Sequence, residues 1–200
     1  MSDKTSIVFT GVGGQGVITA ANILGKAALR AKINAYVSEI HGMAQRGGAV
    51  ICTVRTGNVS TPLIASGTAD AIISMEPIEA LRNITYANKK TKVITDIYPI
   101  IPFTVTVGGE EYPDLEEVYK EIQSYAELYK IDASEIAKRS GAVITKNIVM
   151  LGCLAGTNIL SFKSEILLET VLENIPIKYR DINKKAFEGG INAIKELTKT

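Results

Sequence analysis

A short apolar run, Ile7-Val8-Phe9, ends in Gly11-Val12-Gly13-Gly14-Gln15-Gly16-Val17 and opens into the helix-like Ile18-Thr19-Ala20-Ala21-Asn22-Ile23-Leu24. Such a run predicts a strand, a tight turn and a helix in immediate succession, and it restricts the chain to folds that begin with a β-α unit. Gly11, Gly13 and Gly16 have the G-x-G-x-x-G spacing, in which the first glycine allows the turn, the second close backbone approach and the third the packing of helix on strand. Gly14 bares the loop further. N–H groups at such a helix start lack intrahelical partners and carry the positive end of the helix dipole, so Gly11, Gly13, Gly14, Gln15 and Gly16 could hold a phosphate or carboxylate. Close packing of a short β-α connection explains the same glycines without any ligand. Glu39, at the end of Ala35-Tyr36-Val37-Ser38, falls about where a ribose-binding acid would follow a dinucleotide loop, and that spacing alone reads as NAD binding.

The rest of the chain alternates in the same way. A strand over about Ile33–Glu39 is followed by His41-Gly42-Met43-Ala44-Gln45-Arg46-Gly47-Gly48, which has no regular periodicity and reads as a shaped loop. Strands are predicted at Ala49–Arg55, Asp70–Met75 and Lys92–Asp96, with a helix from Glu76-Pro77. Pro99, Pro102, Gly108 and Gly109 bracket a candidate edge strand at Phe103–Val107. Leu115, Val118, Tyr119, Ile122 and Ala126 predict a helix from Asp114, its N-cap, to about Tyr129. Further helices are expected at Asp132–Ser140, at Thr145–Ile159, which is apolar all round, and at Arg180–Lys199. In the last, Gly189-Gly190 should cost about 1 to 2 kcal/mol relative to alanines unless packing requires them. The pattern defines an α/β chain with a mostly parallel, Rossmann-like sheet, helices on both faces and a helical C-terminal part, read as one domain over 1–200. The glycine loop and the loop after the second strand should then emerge together at the carboxyl edge, where such folds place ligands.

Composition removes several classes. A formal net charge of +1 with interspersed signs gives no basis for nucleic-acid or anionic-membrane capture. The longest apolar stretch, Ile148–Gly156, is too short to span a bilayer, and Met1-Ser2-Asp3-Lys4 leads straight into a strand, so a cytoplasmic location is expected. Cys52 and Cys153 are the only cysteines and sit in apolar runs, which leaves no metal or iron-sulfur ligand set.

Two motifs together, Gly11–Val17 and Ser38-Glu39-Ile40-His41-Gly42-Met43-Ala44-Gln45-Arg46-Gly47-Gly48, resemble the gamma-type domains of the 2-oxoacid:ferredoxin oxidoreductases, in particular the small subunits of the indolepyruvate-oxidising branch. The likeness continues through Ala69-Asp70, Glu76–Ala80, Tyr112-Pro113, Asn147–Gly152 and Asn183–Gly189. It implies a subunit of a complex that oxidatively decarboxylates 2-oxoacids to acyl-coenzyme A with ferredoxin as acceptor. Thiamine diphosphate and iron-sulfur clusters are implied in a large partner subunit and coenzyme A as cosubstrate. No cofactor, and no activity, is expected of the isolated chain, which should instead self-associate. The resemblance extends to pyruvate-, 2-oxoisovalerate- and 2-oxoglutarate-type complexes. A free nucleotide-binding module or an NAD-dependent dehydrogenase are the readings outside it.

Within the second motif, Glu39, His41, Gly42, Met43, Gln45, Arg46, Gly47 and Gly48 are taken as facing a partner or cofactor. His41, the only histidine, could act as acid or base, or orient the loop. The Arg46 fork could bind a carboxylate or diphosphate bidentately, or clamp the loop itself.

Overall fold

The computed structural model describes residues 4–41, 47–101 and 111–199. Six strands form one sheet in the order β2-β3-β1-β4-β5-β6, where β1 is Lys4–Val12, β2 Ala35–His41, β3 Ala49–Gly57, β4 Ala71–Ser74, β5 Lys92–Asp96 and β6 Glu127–Ile131. β1, β4, β5 and β6 pair in parallel, and β3 runs antiparallel between β1 and β2. Only residues 42–48 join β2 to β3, far fewer than a parallel crossover needs, so the chain turns back on itself there.

Alternation along the central strands splits the apolar residues between two layers. Ile7 and Phe9 of β1 face a core built with α1 (Val17–Arg30) and the C-terminal helices, and Val8 faces the other, with α2 (Pro77–Arg82) and α3 (Leu115–Tyr125). The C-terminal helices are α4 (Ala133–Ser140), α5 (Lys146–Gly156), α6 (Ser164–Glu173) and α7 (Arg180–Leu197). Asp114 caps α3 by accepting from the N–H groups of Glu116 and Glu117, and Pro77 opens α2.

Residues 148–155 of α5 are all buried, as their all-round apolarity predicts. α7 crosses α5 at glycine contacts: a Cβ on Gly152 would lie 2.0 Å from the Phe187 carbonyl oxygen, and one on Gly190 would lie 2.0 Å from that of Val149. Packing therefore requires Gly190, which answers the conditional cost attached to the pair.

Three expectations need correction. The α3 helix stops at Tyr125, Ala126 is extended (φ −150°, ψ 171°), and Tyr129 belongs to β6, paired with Ile94. Hydrogen bonding to the exposed side of β5 outweighs continuation of the helix. β2 extends to His41, opposite Val50, so Glu39 and His41 are strand residues and not part of the loop. The helix α6, with Leu167 and Val171 buried, had no predicted counterpart. The edge strand expected at Phe103–Val107 lies outside the described residues. Among those described, no helix is long and apolar enough to cross a membrane.

Candidate functional site at the carboxyl edge

The glycine loop joins the carboxyl end of β1 to α1, beside the end of β4, at the point where the sheet's winding changes direction. Gln15 fixes its path. Its Oε1 accepts from the Val12 N–H at 2.6 Å and its Nε2 donates to the Met75 carbonyl at 2.8 Å, which ties β1 to the residue after β4. Gly11 leaves room for that amide, since a Cβ there would lie 2.7 Å from Gln15 Oε1 and 3.0 Å from both Met75 Cβ and Val17 Cγ2.

Positive φ falls on Gly14 (100°) and Gly16 (78°), not on Gly11 or Gly13. The expected division of roles is thereby revised: Gly11 provides space and Gly14 and Gly16 provide the turn. Gly16 is also crowded, its Cβ position lying 2.6 Å from Asn147 Nδ2, an amide that donates to the Gly16 carbonyl at 3.4 Å. Gly16 caps α1 with no side-chain hydrogen bond, and the first turn carries no acid, so the helix keeps an uncompensated positive end.

The second motif reaches the same place. Gly13 N–H donates to the Gly48 carbonyl at 2.8 Å, Val12 pairs with Ala49, and Gly47 takes a φ of 79°. The predicted convergence of the two loops is thus met through the described ends of the second one. Gly42, Met43, Gln45 and Arg46 lie outside the described residues. Glu39 accepts from Asn22 Nδ2 on α1 at 2.9 Å, so the acid singled out by ribose spacing is engaged by the helix.

Two buried carboxylate sites border this edge that the spacing of motifs did not reveal. Asp96 ends β5 fully buried, forms an ion pair with Lys146 and accepts from the Ala133 N–H at 3.2 Å. Burial holds its carboxyl above the usual range, opposed by the Lys146 ammonium and by backbone N–H groups. A strand-terminal acid was the available signal. Glu76, after β4, caps α2 through the Glu79 N–H at 2.9 Å and accepts from Ile100 N–H at 3.3 Å and from the Tyr112 hydroxyl. Glu79 is 3 % exposed, with Oε1 on Arg82 and Oε2 without a hydrogen-bond partner. Burial first, and Glu76 to a lesser degree, raise its carboxyl above the usual range.

The cysteines are inert by placement. Both are fully buried, and burial pushes the Cys52 thiol up to about 12 and that of Cys153 up as well. Among the described residues no group of three His, Cys, Asp or Glu could hold a metal ion.

A six-stranded α/β sheet, with the glycine loop tied to Gly48 and Ala49 at its carboxyl edge, defines a Rossmann-like fold. Residues 6–193 match the family described as pyruvate ferredoxin/flavodoxin oxidoreductase, and the chain belongs to that family. It is 43% identical over 190 residues to the indolepyruvate oxidoreductase subunit IorB of Archaeoglobus fulgidus, covering 94% of each chain. It is 29% identical to the 2-oxoglutarate synthase subunit KorC of Methanocaldococcus jannaschii, covering 97% of this chain and 96% of that one. Among solved structures, a 2-oxoglutarate:ferredoxin oxidoreductase chain from Magnetococcus marinus superposes with a TM-score of 0.76 at 24% identity, over 100% of this chain and 32% of that one.

Proposed function

We propose that this chain is the small subunit of an indolepyruvate-type 2-oxoacid:ferredoxin oxidoreductase, acting as one gamma-type unit over its whole length. The observation that carries the reading is its near full-length likeness to an indolepyruvate oxidoreductase subunit, together with the Gly13–Gly48 bond that brings its two motifs to one edge. The reaction it serves is the oxidative decarboxylation of an aryl 2-oxoacid to the acyl-coenzyme A, with electrons passed to ferredoxin. Thiamine diphosphate and iron-sulfur clusters belong to the larger partner in this reading, because two separate, fully buried cysteines fit no cluster and no step is placed on this chain's thiols. The chain's own part is to present the glycine loop and the second-strand loop to that partner, with the bare α1 N-terminus available to an anionic group. The fold's place within a longer polypeptide in the M. marinus chain supports close association with a neighbouring domain.

A 2-oxoglutarate-type complex is the second reading, favoured by the KorC relative. Co-purification from native lysate, with the partner's iron measured, tests the assignment. The expected complex carries iron and reduces ferredoxin with indolepyruvate and coenzyme A. Faster turnover of 2-oxoglutarate would select the second reading, and micromolar NADH binding by the chain alone, without any iron-bearing partner, would overturn both.

A further inference from the structure

An apolar groove of about 380 Å³ opens beside the glycine loop, lined by Thr19 and Ile23 of α1, Asn147 and Ile148 of α5, and the approaches to α5 and α7. Its lining and the chain next to it are unusually greasy for a surface: the lining Ile144 is 88% exposed and Tyr179 45%, and Val143 and Ile177, close to them in the chain, are 52% and 79% exposed. Contiguous apolar exposure of this kind marks an interaction site. Most of the charges around it are positive; Glu173, which precedes the lining Asn174, is paired with Arg30. Lys178 and Arg180 flank the lining residue Tyr179, and Lys26 donates to the lining Asn174 at 2.6 Å. None of the three enters an ion pair among the described residues, and Arg180 Nε is buried without an acceptor. Asp181 is the sole acid in the lining segment 174–183. The neighbouring α1 N-terminus adds further positive potential.

We infer that this groove docks an acidic amphipathic segment of the larger subunit, the inference resting on the multisubunit reading above. Apolar side chains of that segment cover Ile144 and Ile177 while its carboxylates meet Lys26, Lys178 and Arg180. A second copy of this chain is the poorer occupant, because a two-fold contact would set these cations against themselves. A polyanionic backbone is poorer too, since it offers nothing to the four exposed apolar side chains.

The test titrates purified larger subunit into the intact chain and follows assembly by calorimetry, at about 50 mM and about 500 mM salt. Ile144 and Ile177 are solvent-exposed, so the Ile144→Asp/Ile177→Asp variant should melt like the wild type, checked by circular dichroism, and bind about a hundredfold more weakly. Lys178→Glu/Arg180→Glu should bind at least about tenfold more weakly at low salt, with the difference shrinking at high salt. Wild-type affinity in both variants overturns the docking site while leaving the functional reading intact. Loss of a homodimer in light scattering with unchanged binding of the larger subunit assigns the groove to a second copy and overturns the inference. Absence of any wild-type assembly overturns the functional reading and this one with it.

Discussion

Gly190 of α7 lies against Val149 of α5 so closely that a Cβ on the glycine would sit 2.0 Å from the valine's carbonyl oxygen. No side-chain rotation relieves a contact between two backbones. Gly190→Ala should therefore destabilise the chain by about 3 kcal/mol or more, read as a lower urea midpoint. Gly189→Ala meets only the Ile136 Cγ2 methyl, at 2.7 Å, and gains helix propensity, so it should cost less than about 1 kcal/mol. Equal costs at the two positions would contradict the backbone-contact account.

Gln15 spends both ends of its amide on main-chain groups, Val12 N–H and Met75 C=O. Gln15→Ala should cost about 2 kcal/mol by leaving both partners unpaired. Gln15→Glu should be worse at neutral pH, because a carboxylate oxygen would face the Met75 carbonyl oxygen. Thermal melts of the three proteins, ranked in that order, check the pinning role.

Gly14 and Gly16 both have positive φ, but only Gly16 is crowded. Gly14→Ala should cost about 1 to 2 kcal/mol from backbone strain alone. Gly16→Ala should cost more, and adding Asn147→Ala should return only the excess. A double-mutant cycle measures that coupling, and strict additivity would show that Asn147 does not crowd the turn.

Burial raises the Glu79 carboxyl above its usual value near 4.5, so the folded chain holds this proton more tightly than the unfolded chain. Its contribution to stability is fully present below about pH 4.5 and is lost as pH rises through the raised folded value. Glu79→Gln should remove that part of the pH slope. Urea midpoints of both proteins at half-unit steps from pH 4 to 8 give the comparison, and a constant offset between them would reject it.

Arg46 carries the remaining prediction from the second motif. Arg46→Ala should leave the melting temperature of the isolated chain nearly unchanged and lower complex affinity or 2-oxoacid turnover by at least about tenfold, roughly 1.4 kcal/mol. Arg46→Lys should recover little, because an ammonium cannot reproduce bidentate geometry. Unfolding of the isolated Arg46→Ala chain, with activity spared in the complex, would make the residue a structural clamp.

Local pattern revealed the β1-turn-α1 unit, the β2 and β3 strands, the cap at Asp114 and the start of α2 at Pro77, because each is set by residues close in sequence. Where β6 begins could not be read in this way. Leu115, Val118, Tyr119, Ile122, Ala126 and Tyr129 keep helical spacing straight across the boundary, and only pairing with β5 decides that residues 127–131 are extended. The site divides similarly. That two glycine motifs would meet followed from winding order, but the partners that complete the edge, Asn147 on Gly16 and Lys146 on Asp96, come from positions far along the chain. Nothing in the spacing of the glycines announces them.

The α5–α7 contact has a consequence for the order in which the chain can mature. Phe187 and Ile194 of α7 belong to the same core as Ile7 and Phe9 of β1, across some 180 residues of intervening chain. A growing polypeptide can pair its early strands, yet one flank of that layer stays open until α7 has emerged and settled glycine-first onto α5. Until then the α5 face of Val149, Gly152, Cys153 and Gly156, which α7 contacts, lacks that cover. Quality control in the cell would accordingly meet a sticky, half-covered species during synthesis, and a lesion at Gly190 would prolong that interval by obstructing the closing step.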